Sequence, residues 1–214
     1  MENKNELYSK TFMYLSLGLL ITFVTGYTVS LNEVMLSNIL SGGPEIIWIL
    51  EIALAIFFGV KLPKMSKGEA VICYILYTFL TGLTFASIFA VFSISSIITI
   101  FLVTACIFGV LALIGIKSNK DVTSVGTILF VGLIAIIILS IINIFIGSSM
   151  LALVLTIIGV LIFLGYTIYD IKCLKVLEMV NYEVAPIYGA FELYLDFINI
   201  FINLLQLFGN SRDN

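Results

Sequence analysis

The 214-residue chain contains no histidine and few charges of either sign. Without histidine it can build no HExxH zinc site, no Ser-His dyad and no histidine proton relay, so whole classes of membrane enzyme are excluded. Charged residues make up 11% and hydrophobic residues 61%, whereas a soluble domain has roughly 25% and 45–50%. Too few polar residues remain to coat a soluble fold of this length, so lipid must be the outer solvent. A net charge of −3 with no long run of Lys or Arg argues against a nucleic-acid partner. The three cysteines, Cys73, Cys106 and Cys173, form no CxxC pair and read as buried reduced thiols rather than a redox or metal site. The N-terminus mixes Glu2, Lys4, Glu6 and Lys10 and lacks the basic n-region and cleavage site of a secretory signal, so the first apolar run is expected to be retained.

What is abundant is long apolar sequence. A bilayer core of about 30 Å takes roughly 20 apolar residues in helix. Seven runs meet that need: Phe12 to Ser30, Glu45 to Val60, Glu69 to Phe92, Ser95 to Ile116, Val122 to Ile146, Met150 to Tyr169, and Ala185 to Phe208. The alternation of a membrane β-strand is missing, and helix is the other backbone that satisfies its own polar groups in lipid. The expected fold is therefore an all-α integral membrane bundle of seven transmembrane helices, one domain over residues 1–214. Between the first two runs, Ser41, Gly42, Gly43 and Pro44 form a turn cluster within a loop from Leu31 to Pro44.

The cations alternate with the runs. Lys4 and Lys10 precede the first; Lys61, Lys64 and Lys67 follow the second; Lys117 and Lys120 follow the fourth; Lys172 and Lys175 follow the sixth. Of the cations only Arg212, in the C-terminal tail, breaks the pattern. The positive-inside rule then expects a multi-pass protein of the cell (plasma) membrane, N-terminus cytoplasmic and C-terminus outside.

Against this background the carboxylates stand out, because an ion in hydrocarbon costs on the order of 3 kcal/mol by insertion scales. Glu45 and Glu69 start their runs, where a carboxylate suits a helix N-terminus. Glu51 lies two turns into the second run beside Trp48, Ile49, Leu50, Ile52 and Leu54, and its side chain should face the bundle. There it serves either as a hydrogen-bond partner of a neighbouring helix or as part of an ion path. Asp170 ends the sixth run, where the helix dipole disfavours it unless a cation, a shared proton or solvation near Lys172 and Lys175 compensates. Asp196 lies deep in the seventh. Glu192, Asp196, Asn199 and Asn203 follow spacings of four, three and four and so share one helical face, with Leu193, Leu195, Phe197, Ile198, Phe201 and Ile202 covering the rest. A polar stripe can glue helices, but two carboxylates one turn apart repel, which favours a proton or cation site.

The segment Leu193-Tyr194-Leu195-Asp196-Phe197-Ile198-Asn199-Ile200-Phe201-Ile202 closely resembles the signature LYLDFINLF of the transmembrane Bax inhibitor motif family. Tyr169-Asp170, Tyr77-Thr78 with Gly82, and Thr104-Ala105 with Phe108 resemble its sixth, third and fourth helices. The chain is most similar to the bacterial branch. The resemblance implies a seven-helix bundle with the last helix central, acting as a pH-sensitive calcium leak channel. It also implies that Asp170 and Asp196 form a hydrogen-bonded pair that senses pH and gates a pore along the seventh helix. Two close carboxylates in a low dielectric cannot both ionise cheaply and titrate as a unit. Losing their proton leaves either a repelling pair or an oxygen site suited to calcium.

The chain departs from the family pattern at three positions. Glu192 replaces a small hydroxyl residue and adds a third acid, giving Asp170, Asp196 and Glu192 as a possible calcium set. Lys61 and Leu62 stand nearest to the place of an arginine that engages the aspartates, and a lysine binds only as a point charge. Gln206 replaces a basic residue after the signature. The expected partners are the lipid bilayer, calcium and protons; no cofactor beyond calcium itself and no enzymatic activity is expected. The seventh run also lacks the lysine that a retinal Schiff base needs. The alternatives are a proton-coupled secondary transporter using the same acids, and a regulatory membrane protein acting through partners.

Overall fold

A computed structural model describes residues 4–41, 44–61, 64–118 and 122–211. The readings placed on Gly42, Gly43, Leu62, Lys120 and Arg212 lie outside the described residues, as do the side chains of Lys4, Pro44, Glu45 and Lys175. The regular structure is helical: α1 (Lys4–Ser30), α2 (Glu33–Ser41), α3 (Pro44–Lys61), α4 (Lys67–Val91), α5 (Ile94–Lys117), α6 (Thr123–Ile146), α7 (Ser149–Val180) and α8 (Ala185–Phe208). Six of them, α1 and α4 to α8, are long and apolar enough to cross a bilayer; α2 and α3, bent at their junction, pass the same test only when taken together. The described residues thus supply six spans, and seven only if that bent pair counts as one.

Three boundaries differ from the sequence expectation. The loop from Leu31 to Pro44 contains the short helix α2, whose nine residues rise about 13 Å and cannot span alone. The N-terminal tail is the first turns of α1, with Glu6 and Lys10 one turn apart and ion-paired at 3.0 Å. The sixth run does not stop at Tyr169, because α7 continues for 32 residues to Val180.

Local chemistry explains the helix ends. Ser66 caps α4 by a reciprocal box: its backbone N–H donates to Glu69 Oε2 at 2.8 Å, and the Glu69 N–H returns to Ser66 Oγ at 3.4 Å. Glu69 is thus the helix-start charge expected of it. At the other end of the chain's midpoint, α6 stops on Gly147, whose φ of 70° is left-handed and free of Cβ strain. Ser148 then starts α7: its N–H donates to Asn143 Oδ1 at 3.1 Å and its Oγ accepts from the Leu151 N–H at 3.2 Å.

The chain divides into two compact units. The first comprises residues 1–94, 174–194 and 211–214, and the second residues 95–173 and 195–210. In the first, α1 packs on α4 so closely that a Cβ on Gly82 would lie 2.6 Å from Thr25 Cβ. Its core is aromatic, with Tyr77 edge-on to Phe191 at 5.1 Å and Phe58 to Phe191 at 4.5 Å between ring centroids. In the second, Phe197 meets Phe101 and Phe108 at 5.4 and 5.6 Å. Of the six spans, α8 is the most enclosed, with 56% of its most apolar window buried, against 6% for α6. The apolar side chains left bare on α6, such as Phe145 at 86% exposure, face lipid. Cys106 is also exposed, and Cys73 and Cys173 are half-buried, so the expectation of buried thiols is corrected. Apolar surroundings in the sequence mark membrane depth, and lipid supplies them as well as protein does.

Candidate functional site

Asp196 sits eleven residues after Ala185 and twelve before Phe208, about 16 and 18 Å of helix rise from the two ends. Only 3% of it is exposed. A carboxyl group at that depth and so little exposed carries a desolvation cost that simple helix packing does not require.

Asp170 is half-buried and lies ten residues before the end of α7. The expectation that it ends a helix is therefore corrected, and the dipole argument no longer applies to it. The extension of α7 also changes its depth relative to Asp196. Gly159 packs on the Asn203 side chain, and Thr156 Oγ1 lies 3.4 Å from Gln206 Oε1. Both contacts set one antiparallel register for α7 and α8, which puts Tyr166 level with Asp196. Asp170 is four residues further along, a rise of about 6 Å.

The rest of the α8 stripe is bonded locally. Asn199 Nδ2 donates to the Leu195 carbonyl and Asn203 Nδ2 to the Asn199 carbonyl, both at 2.7 Å. These amides therefore bond back onto their own helix. Glu192 takes a side-chain hydrogen bond from Tyr188, one turn before it. Among the described residues no three of His, Cys, Asp and Glu gather in a way that could hold a metal ion. Asp170, Asp196 and Glu192 are among the described residues and do not form such a group. Lys61 is exposed in the last turn of α3, where a cation complements the helix dipole.

In the first unit, Glu51 faces inward as its sequence context requires. Its Oε2 accepts from Thr84 Oγ1 at 3.1 Å, while Oε1 is buried with no hydrogen-bond partner among the described residues. Near it lies a relay that sequence reasoning missed. Thr22 Oγ1 donates to the Thr78 carbonyl at 2.8 Å, which commits its single proton, so Tyr194 is the donor in the 2.5 Å contact between the two hydroxyls. Tyr194 and Thr22 are wholly buried, and together with Thr78 they tie α8, α1 and α4. The available signal was the three-residue spacing of Thr78, Thr81 and Thr84, which puts three hydroxyls on one side of α4.

Known proteins resemble the chain over nearly its whole length. A profile of the family described as "Inhibitor of apoptosis-promoting Bax1" matches residues 4–213. The inner membrane protein YbhL of Escherichia coli (strain K12) is 36% identical over 217 residues, covering 95% of this chain and 91% of the relative. An uncharacterized protein of Rickettsia prowazekii (strain Madrid E) is 32% identical over 210 residues, covering 95% and 89%. An uncharacterized membrane protein of Streptococcus pyogenes serotype M1 is 31% identical over 215 residues, covering 97% and 93%.

Proposed function

The chain belongs to the family of inhibitors of apoptosis-promoting Bax1, and from that membership we propose that it is a pH-sensitive calcium leak channel of the plasma membrane, gated by Asp170 and Asp196. The observation that carries this reading is the burial of Asp196 at the middle of α8, on a face it shares with Asn199 and Asn203. A carboxyl placed there holds a proton or meets a cation. The long α7 supports the pairing, because it leaves Asp170 inside a helix and only about one turn from the level of Asp196. With one proton between them the two carboxyls attract. Once it is lost they repel, or offer oxygens to a passing calcium ion.

In this reading calcium is cargo, carried past two carboxylates and neutral oxygens without a resident cage. Charge alternation supports a cytoplasmic N-terminus, which puts the α6–α7 turn and the end of α8 outside. Calcium flux into liposomes, followed from about pH 5 to about pH 8, tests the gate. Wild type should show pH-dependent flux, and the dependence should flatten in Asp170→Asn and in Asp196→Asn. Two variants that follow the wild-type curve would remove the pair from the gate.

A further inference from the structure

The bundle covers α2 only in part. This helix starts on a cap of its own, Asn32, whose Oδ1 accepts from the Met35 N–H at 3.0 Å, so it is a separate helix and not a continuation of α1. Helical spacing puts Glu33, Ser37, Asn38 and Ser41 on one half and Met35, Leu36, Ile39 and Leu40 on the other, with Val34 the one apolar residue on the polar half. None of these residues is fully buried. Leu36 and Ile39 are half-buried, and α2 packs on α1 and α4. Met35 and Leu40, on the flanks of the same apolar half, are exposed.

The lengths of the neighbouring helices fix the level at which α2 lies. The apolar stretch of α1 from Glu6 to Ser30 has 25 residues, a rise of about 37 Å against a hydrocarbon core of about 30 Å. By Ser30 the chain is through the core. α3 has 18 residues from Pro44 to Lys61 and rises about 27 Å, which matches the core to within a few Å that the Lys61 stem and the bilayer absorb. A second crossing thus needs nothing from α2. Aromatic side chains mark the same level independently. Tyr27, near the end of α1, and Trp48, one turn into α3, are both exposed, and amphipathic rings of this kind collect at the boundary between headgroups and acyl chains. α2 lies in the sequence between these two rings.

We propose that α2 lies flat in the lipid interface on the side where α1 ends, with Met35 and Leu40 among the upper acyl chains and Glu33, Ser37 and Ser41 toward water, and that α3 alone makes the next crossing. Residues 31–41 include no lysine or arginine and one acid, Glu33, so the attachment rests on apolar burial and not on attraction to anionic lipid. Ser37 Oγ donates to the Val34 carbonyl at 3.0 Å and Ser41 Oγ to the Ser37 carbonyl at 2.6 Å, so both hydroxyl protons are used within the helix. Only Gly42 and Gly43 separate α2 from α3. Held in the interface, α2 fixes the depth at which α3 enters the bilayer, and with it the depth of Glu51.

Tryptophan fluorescence of the full chain in liposomes tests this, with three quenchers: lipid brominated close to the headgroup, lipid brominated deep in the acyl chain, and aqueous acrylamide. Trp48 is the only tryptophan, and in the unsubstituted chain the shallow bromine should quench it at least about twofold more than the deep one. In a Trp48→Phe background, Met35→Trp and Leu40→Trp should show the same preference, whereas acrylamide should quench Ser37→Trp at least about twofold more than either. All three positions are exposed, so none of them forces an indole into the packed interior. Strongest quenching of Met35→Trp and Leu40→Trp by the deep bromine means that α2 is the first half of a broken span with α3, and overturns the proposal. Equal acrylamide quenching at the three positions, with neither brominated lipid effective, puts α2 in water and overturns it as well. The pattern should be the same in vesicles of neutral lipid and in vesicles containing anionic lipid; shallow quenching that requires anionic lipid overturns the apolar attachment.

Discussion

Replacing Gly82 by alanine should destabilise the protein, whereas the same methyl addition at a helix position with open surroundings should not. The added Cβ would stand 2.6 Å from Thr25 Cβ and 3.0 Å from the Thr22 carbonyl oxygen, against 3.4 Å for the onset of ordinary contact. Both neighbours are parts of α1 that cannot swing aside, so α1 and α4 must separate by about 0.8 Å or bend. The reciprocal site is equally tight, because a Cβ on Gly26 would lie 2.8 Å from Phe85 Cβ. Overpacking of this kind costs about 1–3 kcal/mol. Separation would also stretch the 2.8 Å bond from Thr22 to the Thr78 carbonyl, adding some tenths of a kcal/mol in a membrane setting. Gly109 is the control: a Cβ there meets nothing within 4 Å, and alanine gains up to ~1 kcal/mol of helix propensity. Heating in detergent micelles, followed by the surviving monodisperse fraction, should lower the midpoint for Gly82→Ala by about 2–4 °C per kcal/mol in a chain of this size. Gly109→Ala should match or exceed wild type. Equal losses in the two variants would refute the close helix approach as the cause.

Three further outcomes follow from the geometry. Thr84→Val removes the donor to Glu51 Oε2 and should cost about 0.6 kcal/mol, with ~1.7 as the ceiling for membrane hydrogen bonds; a double-mutant cycle with Glu51→Gln should show the two effects to be coupled. Gly126→Ala places a methyl against the Tyr169 ring, one residue before Asp170, so under the proposed aspartate gate the pH midpoint of calcium flux should shift while expression is maintained; an unmoved midpoint would disconnect that ring from the proposed gate. Ser96→Ala removes the acceptor of the Asn210 N–H at 2.9 Å, and the loss of about 1 kcal/mol should speed hydrogen exchange at Asn210 several-fold, leaving exchange in α8 as it was.

The sequence by itself determined the solvent and the long helices, though not all of their ends. Apolar runs of about 20 residues have one stable form in lipid, so α1 and α4 to α8 were legible from composition, as were the inward turn of Glu51 and the shared face of Glu192, Asp196, Asn199 and Asn203. Helical periodicity needs only residue spacing, and the cost of a charge in hydrocarbon needs only depth. The end of α7 was not legible, because Asp170, Lys172 and Lys175 look like a membrane boundary while helix formation is indifferent to that boundary. Nor could sequence reveal α2, which is too short to announce itself by periodicity, or the exposure of Cys106, since lipid and protein interior prefer the same side chains. Which hydroxyls meet was a matter of tertiary structure alone: the chain from Tyr194 through Thr22 to Thr78 joins three helices far apart in sequence. The close approach of Gly159 on α7 to Asn203 on α8 is likewise tertiary, because a helical pattern read one segment at a time carries no information about the space between segments.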